Sequence, residues 1–163
     1  MKSPWPDAHH HDILALARAM DTSTAVDAMR LQLPAAQWQT LGGYLQALSL
    51  SAGEVLMKCS AQDRTVFFVE SGHLTAHRED EQGSIRMALL GAGSVVGEGS
   101  FFSQEPRRAT VQATSACRLW RLTPLRFQEL SNRHPDLALA LSLAMGAVLA
   151  RRLTLSARRV AVT

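Results

Sequence analysis

The chain has 163 residues, of which 47% are hydrophobic and 19% are charged, and this composition is typical of one globular domain. The formal net charge is only +3, which does not indicate a nucleic-acid-binding protein. The arginines are clustered at 107–108, 151–152 and 158–159, and this clustering favours a small anionic ligand over a long phosphate backbone.

Cysteine usage and terminal composition favour a cytoplasmic protein. Cys59 and Cys117 lack metal-ligand spacing, and we expect two buried thiols rather than a disulfide. The first eleven residues lack the pattern of a signal peptide, and no apolar run reaches the roughly 20 residues that span a bilayer. The sequence therefore predicts a soluble chain that does not enter a membrane.

Short helices are predicted for residues 1–45, which we interpret as an N-terminal helical segment. The predicted helices lie at 12–20, at about 25–31 and from Pro34 onward, where a proline can occupy the first turn. His9, His10 and His11 are interpreted as surface histidines, because adjacent residues on a helix point in different directions.

Residues 46–123 alternate short β-rich runs with glycine-containing turns. The predicted strands are 48–50, 55–57, 65–69, 74–78, 85–90, 95–96, 110–113 and 117–122. This pattern predicts a mainly β fold with flanking helices, in which a jelly-roll-like β-barrel lies between the N-terminal helices and a long C-terminal helix. Such a barrel could also be a cupin metal enzyme. However, no His-x-His with a following glutamate and no nucleophile–base pair is present, and we predict a protein that is not an enzyme.

Residues 97–110 combine a carboxylate, Glu98, with an arginine, Arg107. The small residues Gly97, Gly99 and Ser100 leave backbone N–H groups uncovered, and such a run can surround an anion. A short apolar turn with two phenylalanines is predicted between the two charged residues. A guanidinium presents paired donors to a phosphate and a carboxylate accepts from a hydroxyl, so the pair fits a sugar phosphate.

This stretch resembles the phosphate-binding cassette of the cyclic-nucleotide-binding domain, which occurs in bacterial catabolite activators, regulatory subunits of protein kinase A and cyclic-nucleotide-gated channels. The matching residues are Gly97, Glu98, Ser100, Pro106, Arg107, Ala109 and Thr110. The resemblance implies that Glu98 binds the ribose 2′-hydroxyl and Arg107 the exocyclic phosphate. It further implies that amides around Gly99, Ser100, Ala109 and Thr110 complete the site.

The resemblance extends to residues 52–74, which are similar to the opening of the family's barrel. Ser60 departs from it, because the family usually has a glycine there to adopt an unusual backbone angle. We therefore expect a slightly different turn at Ser60.

Residues 124–163 are interpreted as a hinge and a long helix. The run 137–150 is apolar on several sides, so one side can lie on the barrel while the rest requires a partner. By resemblance, this helix pairs two copies in a parallel homodimer. Residues 149–160 resemble the matching helix of the bacterial activators, which implies that Arg152 reaches Glu98 and that Ser156 meets the adenine amino group. An ordinary surface serine is the alternative for Ser156.

The resemblance implies a domain that senses a cyclic nucleotide and signals through movement of its C-terminal helix. Arg108 stands where cyclic-GMP-selective members often carry threonine, and it either adds a second charge at the phosphate or points outward. The tail residues favour cyclic AMP, with cyclic GMP as the alternative.

The effector of this sensor is not named by the sequence. No helix-turn-helix follows in these residues, so we expect the output through an unidentified effector protein, the N-terminal helices or a further part of a longer chain, without direct nucleic-acid contact. A non-binding interaction module of the same fold and a truncated transcription regulator remain alternatives.

Overall fold

A computed structural model describes residues 12–81 and 83–160. The helices are α1 Ile13–Thr22, α2 Ala35–Gly42, α3 Glu98–Ser103, α4 Pro124–Arg133 and α5 Pro135–Val160. The strands are β1 Gln46–Leu50, β2 Val55–Met57, β3 Val66–Ser71, β4 Leu74–Asp80, β5 Gly83–Leu90, β6 Val95–Val96, β7 Thr110–Ala113 and β8 Cys117–Leu122. The triple histidine at 9–11 lies outside the described residues.

The strands form two four-stranded antiparallel sheets that face each other. Their orders are β1-β8-β3-β6 and β2-β7-β4-β5. The sequence of β3 is apolar on both sides because the strand lies between two hydrophobic cores. Phe67 and Val69 point into the barrel interior, and Phe68 belongs to a second core under the helices. The prediction of a mainly β, jelly-roll-like barrel with flanking helices is confirmed, and each strand lies within two residues of its predicted position.

The second core joins the helices to the outer face of the sheet that contains β3. Its fully buried members include Leu16 and Met20 of α1, Leu41 of α2, and Leu141 and Met145 of α5. The α1 helix begins where the side chain of Asp12 accepts from the backbone N–H of Leu14, at 2.9 Å. Helix α1 near the N-terminus and helix α5 near the C-terminus therefore pack on the same side of the barrel.

The predicted helix at 25–31 is wrong, because these residues form a loop that is bound to its surroundings. The backbone N–H of Met29 donates to the carbonyl of Gly93 at 3.0 Å. The Arg30 guanidinium donates to the carbonyls of Met20 and Ser23, at 2.8 and 2.9 Å. A seven-residue helix is a weak nucleus, and these longer-range bonds replace the few that it could make.

Three smaller expectations are also corrected. Cys117 is buried as expected, but Cys59 is exposed, and neither forms a disulfide. The expected two-phenylalanine turn is the short helix α3. At Ser60 the turn keeps the unusual angle, with φ of 68°, because the backbone N–H of Ser60 donates to the Arg107 carbonyl at 2.7 Å.

Helix α5 has one buried face and one exposed face. Leu141, Met145 and Val148 are fully buried, whereas Leu139 and Leu143 are exposed. By length and composition alone, Pro135–Arg158 is apolar enough to cross a membrane. A helix that lies on the core of a globular domain meets the same criterion, so this finding is weak evidence for a membrane span.

Candidate functional site

A cavity of about 330 Å³ lies between the barrel, α3 and the end of α5. Its volume is within the range of small-molecule sites. The predicted site residues on its wall are Gly97, Glu98, Gly99, Ser100, Arg107, Arg108, Ala109, Arg152 and Ser156. An apolar part of the wall was not predicted and consists of Met57, Ala76, Ala88, Leu90, Val96, Val111 and Leu155. The structure thus brings together charged and apolar groups that are far apart in the sequence.

Thr110 is the predicted site residue that does not line this cavity. Its hydroxyl accepts from the backbone N–H of Cys59 at 3.0 Å. This bond ties the start of β7 to the loop that follows β2. The position of the Thr110 side chain therefore supports a structural role in that loop.

Arg107 is buried, with only 1% of its side chain exposed. Its Nη2 donates to the Oδ2 of Asp63 at 2.7 Å and to the carbonyl of Thr65 at 2.5 Å, and its Nη1 donates to the carbonyl of Gly97 at 3.1 Å. Within residues 12–81 and 83–160, the buried Nε has no hydrogen-bond partner. The guanidinium is thus held in one position while one of its donors is left without an acceptor, a group that is costly to bury.

The negative charge of the Asp63 carboxylate balances the positive charge of the buried Arg107 guanidinium. Asp63 was not among the site residues predicted from the sequence. Burial raises the pKa of Asp63, but hydrogen bonds from Arg107 and Thr65 and the charge of Arg107 outweigh burial, so the pKa lies below its ordinary value of 3.8. The Oδ1 of Asp63 also accepts from the backbone N–H and the hydroxyl of Thr65, at 3.1 and 2.8 Å. The Asp-x-Thr pattern of this local turn is the signal that could have pointed to it.

Gly97 fits under Arg107 only because it lacks a side chain. Its φ is +86°, and an added Cβ would lie 2.5 Å from the Nη1 of Arg107 and 2.8 Å from the carbonyl oxygen of Thr65. Glu98 follows directly as the first residue of α3 and is 5% exposed. The glycine therefore sets both the position of the guanidinium and the start of the helix that carries the carboxylate.

Arg152 enters from α5 and contacts three different parts of the chain. Its Nε donates to the Oδ2 of Asp27 at 2.8 Å, its Nη2 donates to the carbonyl of Val95 at 3.0 Å, and its Nη1 donates to the Oε1 of Glu98. Burial lowers the pKa of Arg152, but the charge of Glu98 and the contact with Asp27 outweigh burial and raise the pKa above its usual range. Arg152 is therefore charged, and it joins α5 to the barrel.

The remaining charged groups complete the electrostatics of the wall. Arg108 lines the cavity but its side chain is exposed, and Ser156 is also exposed at the α5 side. Asp27 was missed because it lies in the region that was predicted to be a helix. The lining contains three arginines and two carboxylates, and Asp63, which is not part of the lining, pairs with Arg107, so these formal charges sum to zero. Among the described residues, no group of three or more His, Cys, Asp or Glu side chains could hold a metal ion.

Comparison with known proteins identifies the family. A family model described as the cyclic nucleotide-binding domain matches residues 47–134, which is more than half of the chain. The chain belongs to this family. The match covers the barrel, α3 and α4, so the cyclic nucleotide-binding domain here includes Glu98 and Arg107, whereas Asp27, Arg152 and Ser156 lie outside the matched segment.

Individual relatives agree with this assignment. The chain is 30% identical over 98 residues to the cAMP-activated global transcriptional regulator CRP of Escherichia coli, covering 59% of this chain and 45% of the relative. A cyclic nucleotide-binding domain from Methylobacillus flagellatus superimposes with a TM-score of 0.79 at 17% identity, covering 90% of this chain and 81% of the other. The Thermus thermophilus catabolite activator protein gives a TM-score of 0.68 at 23% identity, with 88% and 62% covered. The chain spans less than half the length of its curated relative, and the two structural likenesses show the fold.

Proposed function

We propose that this protein is a sensor that binds 3′,5′-cyclic AMP in the cavity and signals through α5. The observation that carries the proposal is the buried Arg107, whose Nε lacks a partner among the described residues and which shares one cavity wall with Glu98. A phosphate oxygen supplies the missing acceptor, and Arg108, which is exposed on the same wall, offers the phosphate a second positive charge.

In this proposal the ribose lies beside Glu98 and the base lies toward α5. The 2′-hydroxyl of the ribose donates to the Glu98 carboxylate, and the base packs against the apolar part of the wall, including Leu155. Ser156 offers a hydroxyl to the base from α5. Cyclic AMP is favoured over cyclic GMP because the name of the Escherichia coli relative states activation by cAMP and because Ser156 occupies the position implied for adenine.

Signalling follows from contacts that the ligand makes with two separate parts of the molecule. A ligand can shift the position of α5 only if it binds one position more tightly than another. Because Glu98 belongs to α3 and Ser156 belongs to α5, a nucleotide that touches both prefers the position in which both face the cavity. The proposed output is this preferred position of α5, which an effector protein reads.

Calorimetric titration of the protein with cyclic AMP and with cyclic GMP tests the ligand. We expect binding of cyclic AMP, and Arg107→Ala should weaken it by roughly 2–5 kcal/mol because an ionic partner of the phosphate is lost. Arg133→Ala, at an exposed arginine on α4, is the matched control and should bind as the wild type does. If Arg107→Ala does not fold, Arg107→Lys keeps the charge without the planar fork and should also bind weakly.

The titration also separates this proposal from its alternative. Wild-type protein that binds neither nucleotide at millimolar concentration would contradict the sensor function and favour an interaction module. Binding that Arg107→Ala leaves unchanged would contradict the role of Arg107.

We further propose that the exposed face of α5 pairs two copies of the chain. Its residues follow the alternating spacing of four and three that is typical of helix pairs, and they are Leu139, Leu143, Gly146, Ala150, Leu153 and Ala157. Leu139, Leu143 and Leu153 are 58%, 65% and 71% exposed, so a partner would bury a large apolar surface. The small residues between them allow close approach of the two helices.

Sedimentation velocity tests the proposed pairing. The wild type should sediment as a dimer, and Leu143→Glu should sediment as a monomer because it buries a charge in the seam. Leu125→Glu on α4 is the matched control, since Leu125 is also 65% exposed but lies on another helix. A monomeric wild type, or a Leu143→Glu variant that stays dimeric, would contradict this pairing.

A further inference from the structure

The loop between α1 and α2 brings a carboxylate, Asp27, to the wall of the cavity. This residue lies outside the segment that matches the family, and the nucleotide contacts proposed above do not use it. Its side chain accepts from the Nε of Arg152 at 2.8 Å across 125 positions of sequence. A carboxylate at this place therefore acts on the site through Arg152.

The backbone around Asp27 is firmly attached, so its carboxylate has a defined position. Ala28 and Met29 are fully buried, and the Met29 N–H donates to the Gly93 carbonyl at 3.0 Å. The neighbouring Arg151 on α5 donates to the carbonyl of Ala28 at 2.8 Å. The loop and α5 are thus joined at two consecutive arginines.

Three acceptors together fix the orientation of the Arg152 guanidinium. Asp27 takes Nε and the carbonyl of Val95 takes Nη2, so Glu98 receives a hydrogen bond from Nη1 on a single oxygen, Oε1. An arginine that faces one carboxylate without competitors favours the paired geometry, in which two N–H groups contact both oxygens. In the end-on form of this pair both Nη groups face the carboxylate, and the bonds from Nε to Asp27 and from Nη2 to the Val95 carbonyl hold the guanidinium plane out of that orientation.

We infer that Asp27 is a positioning residue of the nucleotide site: by holding the Nε of Arg152, it keeps Arg152 on one oxygen of Glu98 and leaves the other oxygen to the ribose 2′-hydroxyl. The inference rests on the proposed function, because it takes Glu98 as the ribose-binding group. Without the charge of Asp27, only the neutral Val95 carbonyl opposes rotation of the guanidinium, and Arg152 turns to contact both oxygens of Glu98. The 2′-hydroxyl then loses its acceptor, while the phosphate contact at Arg107 is unaffected.

The test compares the affinity for cyclic AMP with that for its 2′-deoxy analogue, which lacks only the hydroxyl. Wild-type protein should bind cyclic AMP about tenfold more tightly or better, since a hydrogen bond to a carboxylate is lost in the analogue. In Asp27→Asn this ratio should fall by roughly threefold or more, because the affinity for cyclic AMP drops while that for the analogue is kept. Asp21→Asn, at an exposed aspartate at the end of α1, is the matched control, and Asp27→Glu should restore the ratio.

Each result of this comparison decides the inference. A merely structural role of Asp27 would weaken both ligands equally and leave the ratio unchanged, and that result would overturn the inference, as would no change in either affinity. If Asp27→Asn does not fold, Asp27→Ser removes the same charge with a smaller side chain, and a wild-type ratio in that variant would overturn the inference too. Wild-type protein that binds neither ligand would refute the proposed function itself, and this inference with it.

Discussion

The two ends of the cavity are built in different ways. At one end, Arg107 is held by Asp63, Thr65 and Gly97, all of which lie inside the segment that matches the family. We call these residues the Arg107 end. At the other, the Arg152 end, Arg152 connects Asp27, Val95 and Glu98, and both Arg152 and Asp27 lie outside that segment.

Arg107 and Arg152 also differ in how deeply their side chains are buried. The Arg107 side chain is 1% exposed and that of Arg152 is 25% exposed. The Arg107 end is enclosed by the barrel, whereas the Arg152 end depends on how the two ends of the chain pack against each other. Under the proposed function, the phosphate is therefore bound by residues of the matched segment, whereas the other wall of the cavity is contributed by residues near the two ends of the chain.

The largest effect is expected from Gly97→Ala at the Arg107 end. The new Cβ would collide with Arg107 and with the carbonyl of Thr65, and alanine is strained at a φ of +86°. Unfolding free energy, measured by urea denaturation, should fall by roughly 2–4 kcal/mol. Gly99→Ala is the matched control: a Cβ at this position meets nothing within 4 Å, so the change should stay within about 1 kcal/mol. Equal effects of the two substitutions would show that the Arg107 end is not tightly built.

Arg152→Ala tests the other end and should be less costly. It removes the cation that neutralises Glu98, which is 5% exposed, but water reaches the remaining space more easily than at Arg107. We expect a loss of about 1–3 kcal/mol in unfolding free energy. Arg158→Ala on the exposed part of the same helix should change it by less than about 0.5 kcal/mol. A loss as large as that of Gly97→Ala would remove the contrast between the two ends.

Ser60→Gly should stabilise the loop that supports the Arg107 end. Ser60 has φ of 68°, a conformation that costs a residue with a Cβ more than it costs glycine. The unfolding free energy should rise by about 0.5–1 kcal/mol, after allowing for the greater freedom of glycine in the unfolded chain. Ser51→Gly is the control and should lower it instead, because Ser51 is an exposed serine without a positive φ. Destabilisation by Ser60→Gly would show that the serine side chain itself is needed in this turn.

The smallest effect concerns the pH dependence that Asp63 contributes. Because the pKa of Asp63 is lowered in the folded protein, its contribution to stability is present above pH 3.8 and is lost as the pH falls through the lower folded pKa. Asp63 is 55% exposed, so we expect the pH-dependent part of the stability difference between wild type and Asp63→Asn to be only a few tenths of a kcal/mol. The difference between the urea midpoints of the two proteins should narrow as the pH falls from 7 to 3. A difference that grows on acidification would mean that the pKa shift has the opposite sign.

Two segments, residues 97–110 and residues 25–31, differ in how well the local sequence predicts their conformation. The sequence predicted that residues 97–110 bring Glu98 and Arg107 to one place, and both line the same cavity, but the turn predicted between them is the helix α3. The run 25–31 was read wrongly as a helix, since its conformation depends on contacts with Met20, Ser23 and Gly93. Local preference is weak in so short a segment, and tertiary contacts override it.

By itself, the sequence determined the barrel, because alternating apolar residues and glycine turns specify strands that have few other ways to bury their side chains. It also determined the carboxylate–arginine pair of the cassette. Only the tertiary structure decided that Asp63 neutralises Arg107 and that Asp27 holds Arg152, because these contacts join residues 44 and 125 positions apart. The fold of the barrel brings Asp63 to Arg107, and the packing of α1 and α5 on one side of the barrel brings Asp27 to Arg152.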